Sequence, residues 1–215
     1  MPFAMGLFDW NGTIVDDVDI AYAATVYLFE QCASRAIIPT MEEYRKEFSA
    51  ADMFEHYYRR GVPKTVTPDE MYRLWSAHYE SICGSMQLAD GAQKLLCFLQ
   101  QCGIPLVIVS AAPKETIRHL ERMNISHFFD RKCFEVRDKS TMIGELLKRE
   151  KVSTRDAFFV GDTSDDIAQG KLARVVTFGY TEGYNSPDRL REAGPKYLVN
   201  SLLDVLSIVR AQIPA

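Results

Sequence analysis

Apolar residues along this chain gather into short unbroken runs, set apart by stretches of helical periodicity. Residues 2–8 (Pro-Phe-Ala-Met-Gly-Leu-Phe) show no polar alternation, and the same holds for 105–109, 157–160 and 175–178. Runs of that length without alternation suit strands buried on both faces, as in a parallel sheet. Between them lie helical patterns. Residues 91–102 carry Leu95, Leu96, Phe98 and Leu99, and 140–151 carry Met142, Ile143, Leu146 and Leu147. Residues 113–123 open on a proline at a suitable first helical position. Strands alternating with helices predict right-handed βαβ units and a doubly wound α/β sheet.

Residues 17–90 break the alternation. No strand is predicted there. Thr40-Met41-Glu42-Glu43 and Thr67-Pro68-Asp69-Glu70 each have the form of a capping box at a helix start. Tyr72, Trp75 and Tyr79 recur three and four apart, as one helix face does, and predict packing inside this segment. The stretch is too long for an ordinary crossover. It reads as an all-α subdomain inserted into a core made of 1–16 and 91–215.

Composition changes this picture little. Of 215 residues, 47% are hydrophobic and 25% charged, which is globular usage, and the net charge is −4. A mildly acidic chain predicts no nucleic-acid partner and no basic membrane anchor. No apolar run approaches the roughly 20 residues of a spanning helix. Asp9 interrupts the first apolar stretch too early for a secretion signal. Five cysteines, none in CxxC spacing, suit a reducing compartment. A cytoplasmic location is the expectation. The four histidines (His56, His78, His119, His127) lack HxxxH or HExxH spacing and predict surface or hydrogen-bonded side chains rather than zinc ligands.

Open α/β sheets bind ligands at the carboxyl ends of their strands. Asp9-Trp10-Asn11-Gly12-Thr13 follows the first apolar run, Ser110-Ala111-Ala112 the second, and Gly161-Asp162-Thr163-Ser164-Asp165-Asp166 the third. Lys139 stands just ahead of the helix that precedes that third run. Together these predict one site. Asp9 and Asp162, with a backbone carbonyl, are hard oxygen ligands suited to Mg²⁺. A carboxylate beside the metal can attack phosphorus. Ser110, the amides after it and Lys139 can hold phosphoryl oxygens. Blander readings exist for single residues: Asp165 and Asp166 also complement a helix N-terminus, and Arg59-Arg60 with Lys64 reads as a solvated charge cluster that could clamp an anionic substrate end.

Asp9-x-Asn11-Gly12-Thr13, Ser110, Lys139 and Gly161-Asp162-x-x-x-Asp166 resemble, in order and spacing, the four motifs of the haloacid dehalogenase superfamily. The helical insert resembles its C1 cap. The closing stretch through Phe178-Gly179-Tyr180, Glu192-Ala193-Gly194-Pro195 and Tyr197-Leu198-Val199 resembles its phosphoglycolate phosphatase-like branch. The resemblance implies a Rossmann-like core with an inserted helical cap. It also implies a Mg²⁺-dependent phosphohydrolase that acts on a small phosphorylated metabolite through an aspartyl-phosphate, as monomer or homodimer. By the same resemblance Asp9 is the nucleophile and a metal ligand. The Asn11 carbonyl and Asp162 are further metal ligands, and Asp166, with Asp165, orders metal-bound water. Ser110, Ala111 and Lys139 bind phosphate, and Thr13 supports the turn.

One position departs from the pattern. The superfamily's phosphatases carry Asp where this chain has Asn11, and that Asp serves as general acid and then general base. An amide cannot shuttle a proton, a service typically worth about 10²–10⁴ in rate. The alternative is therefore a binding or regulatory protein of the same fold with weak turnover.

Overall fold

The computed structural model describes residues 3–32, 37–48 and 53–213. Six parallel strands form the main sheet in the order β5-β4-β1-β6-β7-β8. They are β1 (Met5–Phe8), β4 (Leu106–Val109), β5 (Arg131–Cys133), β6 (Ala157–Gly161), β7 (Val176–Tyr180) and β8 (Tyr197–Val199). The first strand in sequence is thus central, with Leu7 opposite Val107 on one side and Phe159 on the other.

Alternate residues of these strands feed two cores. Phe8, Leu106, Ile108, Phe158 and Val160 pack with Leu95, Leu96 and Leu99 of α5 (Ala92–Gln101) and with Leu202, Val205 and Val209 of α10 (Leu202–Arg210). Met5, Leu7, Val107, Val109 and Phe159 face the other way, onto Ile143, Leu146 and Leu147 of α7 (Lys139–Glu150). Helices on both faces explain why the strand sequences show no alternation. The remaining helices on this side of the chain are α6 (Ile117–Arg122), α8 (Ser164–Leu172) and α9 (Pro187–Ala193).

After β1 the chain makes β2 (Val15–Asp16) and then four helices: α1 (Val18–Cys32), α2 (Met41–Glu47), α3 (Met53–Arg59) and α4 (Pro68–Ile82). Both expected capping boxes are formed, at Thr40 with Glu43 and at Thr67 with Glu70. These helices bury clusters of their own, one around Leu28, Phe29, Tyr57, Val62 and Met71, another around Ala21, Ala24, Tyr44 and Tyr79. The Trp75 indole donates to the carbonyl of Ala21 at 3.2 Å and ties α4 to α1.

Several expectations are corrected. A short strand, β3 (Gln87–Leu88), lies inside the segment read as free of strands. It pairs antiparallel with β2, Val15 opposite Leu88. Two residues carry too little pattern to be seen. β5 and β8, three residues each at the two sheet edges, have partly exposed side chains; β5 has no apolar run and that of β8 is only three residues long. Residues 113–123 are not one helix: Pro113 stays extended, a 3₁₀ turn covers Lys114–Thr116, and α6 follows. Lys139 is the first residue of α7 rather than ahead of it, with Asp138 as N-cap. Tyr72 is 44% exposed, because Met71, Trp75 and Tyr79, spaced by four, take the inward stripe of α4.

Candidate active site

Asp9 follows the last residue of β1, and its amide donates to the carbonyl of Val160 at 2.9 Å, continuing the pairing with β6. That carries Asp9 to the same edge as Asp162, which follows β6, and Asp166, in the first turn of α8. The carboxylate oxygens of these three lie within 4.8 Å of one another, and all three residues are buried. Lys139, in the first turn of α7, enters the group from the side. Its ammonium donates to Asp9 Oδ1 at 2.8 Å and to Asp166 Oδ1 at 2.6 Å.

Each acid is held by local structure. Asp166 closes the capping box of α8, accepting from the Thr163 amide and hydroxyl at 3.1 and 2.6 Å. Its blander role as a helix-terminus acid and its place in the cluster are both realised. Asp162 accepts from the Thr13 hydroxyl at 2.6 Å and the Tyr184 amide at 2.7 Å. Gly12, at φ +69°, and Gly183 press so closely on Asp162 that a Cβ at either would collide with its carboxylate. Ser110 is buried after β4. Its hydroxyl accepts from the Ala112 amide at 3.3 Å and lies against Asp9. Ala111 is exposed beside it. Asp165 is half-buried, and burial raises its carboxyl above the ordinary range.

Electrostatics favour a cation here. Burial above all pushes Asp9 up to about 6, with Lys139 opposing and Asp166 adding to the rise. Burial, then Asp166 and Asp9, drives Asp162 well above a normal carboxyl. Burial pulls the Lys139 ammonium down, but Asp166 and Asp9 outweigh it and hold it above its ordinary value. Three buried carboxyls stand beside one ammonium, which bonds two of them, so the cluster carries surplus negative charge. An all-oxygen donor set with surplus negative charge fits a hard divalent cation.

Asn11 does something the sequence did not suggest. Its side-chain amide donates to Asp17 Oδ2 at 2.6 Å and to the Tyr79 hydroxyl at 3.2 Å. Asp17 also accepts from the Gly12 amide at 2.7 Å, the Tyr79 hydroxyl at 2.7 Å and the Tyr184 hydroxyl at 3.0 Å. A group that only accepts, from four donors, is a carboxylate. Burial raises its affinity for a proton, and Tyr79, Asn11, Gly12 and Tyr184 oppose the rise. Asp17 thereby joins the turn after Asp9 to α4 and to the loop that holds Asp162. Sequence reasoning missed Asp17, Tyr184 and Gly183. The only local signal was the Asp16-Asp17 pair after the first motif. Trp10, next to Asp9, is fully buried in the core beneath α5 and α10. Arg60 is spent on Glu47, at 3.0 and 2.7 Å, and stands 3.6 Å from Glu43, so it is not a free anion clamp.

A parallel sheet with its acids gathered at the carboxyl ends of the strands sets the class as an α/β enzyme. Residues 7–180 match the haloacid dehalogenase-like hydrolases, and the chain belongs to that family. It is 26% identical over 219 residues to a phosphoglycolate phosphatase of Vibrio cholerae, covering 94% of this chain and 95% of that protein. It is 24% identical over 220 residues to the pyrophosphatase PpaX of Halalkalibacterium halodurans, with coverage of 94% and 95%. A haloacid dehalogenase-like family protein of Streptococcus pneumoniae shares the fold, with a TM-score of 0.75 at 20% identity over 96% of this chain and 98% of that one. No helix among the described residues is long and apolar enough to cross a membrane.

Proposed function

We propose that the protein is a Mg²⁺-dependent phosphatase that hydrolyses a small phosphorylated metabolite through an aspartyl-phosphate on Asp9. The observation that carries the reading is the bridge of Lys139 between Asp9 and Asp166, with Asp162 alongside. The names of the relatives, a phosphoglycolate phosphatase and a pyrophosphatase, support phosphate esters or anhydrides as the substrate class.

In this reading Asp9, Asp162 and the Asn11 carbonyl hold the metal, and Asp166 orders its waters. Bound there, Mg²⁺ would neutralise phosphoryl oxygens as charge develops on them. Lys139 fixes Asp9 through Oδ1, which leaves Oδ2 to attack phosphorus. The new Oδ2–P bond forms as the bond to the leaving oxygen breaks, and that oxygen departs with the electron pair. Ser110 and the amide of Ala111 hold the phosphoryl oxygens in line. Water then attacks phosphorus, freeing Asp9 and releasing inorganic phosphate. The two N–H bonds of the Asn11 amide are taken by Asp17 and Tyr79, and an amide cannot protonate a departing oxygen, so leaving groups that are stable anions are preferred. The helical segment 17–90 serves as a cap over the core of 1–16 and 91–215, excluding water and selecting the leaving group. The five free cysteines suit a reducing cytoplasm, and the chain works as a monomer or homodimer.

A panel of phosphorylated metabolites, assayed for phosphate release with and without Mg²⁺, tests the reading. Metal-dependent release and acid-stable labelling of Asp9 by a phosphorylated substrate are expected. Binding of phosphate without turnover of any ester or anhydride would favour the regulatory alternative.

A further inference from the structure

A second cluster lies where the end of α4 meets α6. Glu80 is in the last turn of α4, Cys83 begins the 3₁₀ turn that follows, and His119 is on α6. Cys83 Sγ is 3.8 Å from Glu80 Oε2 and 3.8 Å from His119 Nε2, and His119 Nε2 is 3.8 Å from Glu80 Oε2. We propose that Glu80, Cys83 and His119 bind a zinc ion that clasps the helical segment to the sheet-side helix α6.

The geometry separates this from a proton relay. In a relay, thiol and carboxylate engage opposite nitrogens of the ring. Here both face Nε2, while Nδ1 is buried with no hydrogen-bond partner among the described residues. At 3.8 Å the ring nitrogen and the carboxylate are beyond useful hydrogen-bond reach, and the thiol–imidazole contact of the same length is a weak one. A cation in the triangle serves all three. The centre of an equilateral triangle of 3.8 Å side is about 2.2 Å from each corner, and zinc takes sulfur at about 2.3 Å, nitrogen at about 2.0–2.1 Å and oxygen at about 2.0–2.2 Å.

Chemistry and burial agree. Thiolate, imidazole and carboxylate are all zinc ligands, and the first two suit zinc far better than Mg²⁺. Cys83 and His119 are 3% and 5% exposed, while Glu80 is on the surface. The open side therefore gives the ion an entry path and a water as fourth ligand. Without metal, the Cys83 thiol donates to the Glu80 carbonyl at 3.3 Å, a proton that binding would displace. Arg118 and Arg122 put positive charge near His119, and Arg122 spends its guanidinium on the Cys83 carbonyl at 3.0 Å. Thiolate and carboxylate together match the charge of the ion. Sequence spacing hid the site, since the ligands run from 80 to 119 and only one is a histidine.

Cobalt(II) is the test probe, added to the reduced protein with excess Mg²⁺ to occupy the acidic cluster. Wild type should take up one equivalent with a thiolate-to-cobalt charge-transfer band and tetrahedral ligand-field bands, both erased by Zn²⁺. Cys83→Ser should lose the charge-transfer band, and Cys102→Ser, at an exposed cysteine, should keep it. Glu80→Gln should weaken binding by about tenfold or more. Absence of the band in wild type overturns the proposal, as does its survival in Cys83→Ser. Should Cys83→Ser fail to fold, Glu80→Gln decides through its exposed side chain, and unchanged cobalt affinity there refutes the site.

Discussion

Asn11→Asp changes one group from donor to acceptor inside a buried node. The amide it removes donates to Asp17 Oδ2 at 2.6 Å, and Tyr79, Tyr184 and Gly12 already supply Asp17 with its other partners. The variant loses a hydrogen bond to a charged group, worth about 1.5–3 kcal/mol. It also sets two carboxyls in contact, where two charges ~4 Å apart at an effective dielectric of ~20 repel by about 4 kcal/mol. Protonating one of them at pH 7 costs about 1.4 kcal/mol for each of about three pH units, again about 4 kcal/mol. The two figures match, so the pair holds one proton around neutral pH.

The folded variant then binds more protons than the unfolded chain between the ordinary carboxyl range and neutrality, so its stability falls as pH rises through that window. Urea unfolding should show Asn11→Asp less stable than wild type by about 4–7 kcal/mol at pH 8, with the gap narrowing on acidification. Asn11→Asp/Asp17→Asn puts a donor opposite an acceptor again and should recover most of the loss. The shared proton also restores a general acid, so turnover of an alkyl phosphate should rise by about 10²-fold or more and that of an aryl phosphate far less. A variant as stable as wild type at both pH values would sink the account of the node. An unchanged alkyl rate in a folded variant would show that proton supply at position 11 is not what limits the enzyme.

Asp9→Ala should abolish phosphate release with an unchanged circular dichroism spectrum, and wild-type activity on an aryl phosphate would refute the covalent mechanism. Because burial pushes Asp9 up to about 6, the metal-free folded state binds extra protons between about 3.8 and 6. Its melting temperature should therefore rise from pH 7.5 to pH 5, and Mg²⁺ should remove that gain by stabilising the ionised form; the same pH profile with and without Mg²⁺ would contradict the metal assignment. Gly183→Ala forces a methyl against the Asp162 carboxylate and should lower Mg²⁺ affinity by about 10-fold or more in calorimetry, with wild-type affinity excluding Asp162 as a ligand.

What the sequence disclosed divides along physical lines. β1, β4, β6 and β7 were readable because both faces of each are buried, which leaves unbroken apolar runs. β5 and β8 lie at the edges, where one side meets water and the apolar signal thins out. Asp9, Ser110, Lys139, Asp162 and Asp166 could be gathered in advance because each stands at a strand end or helix start of a sheet whose topology fixes where such ends meet. Asp17 could not be, since its partners Tyr79 and Tyr184 arrive from α4 and from the loop after β7, and no local pattern encodes those meetings. The triangle of Glu80, Cys83 and His119 was hidden for the same reason.

The central place of β1 has a consequence for how the molecule comes into being on the ribosome. Gly6 pairs with Leu106 and Met5 with Ala157, so the strand made first has both neighbours made late. At about 5–20 residues per second, the second neighbour emerges roughly eight to thirty seconds after the first strand. Until then a wholly apolar strand with at least one unsatisfied edge waits in the nascent chain, open to the wrong pairings that such edges invite. Asp9 therefore exists as a residue long before it exists as part of a site, and a chain released before β6 is complete would carry Asp9 with no Asp162 or Asp166 to meet it.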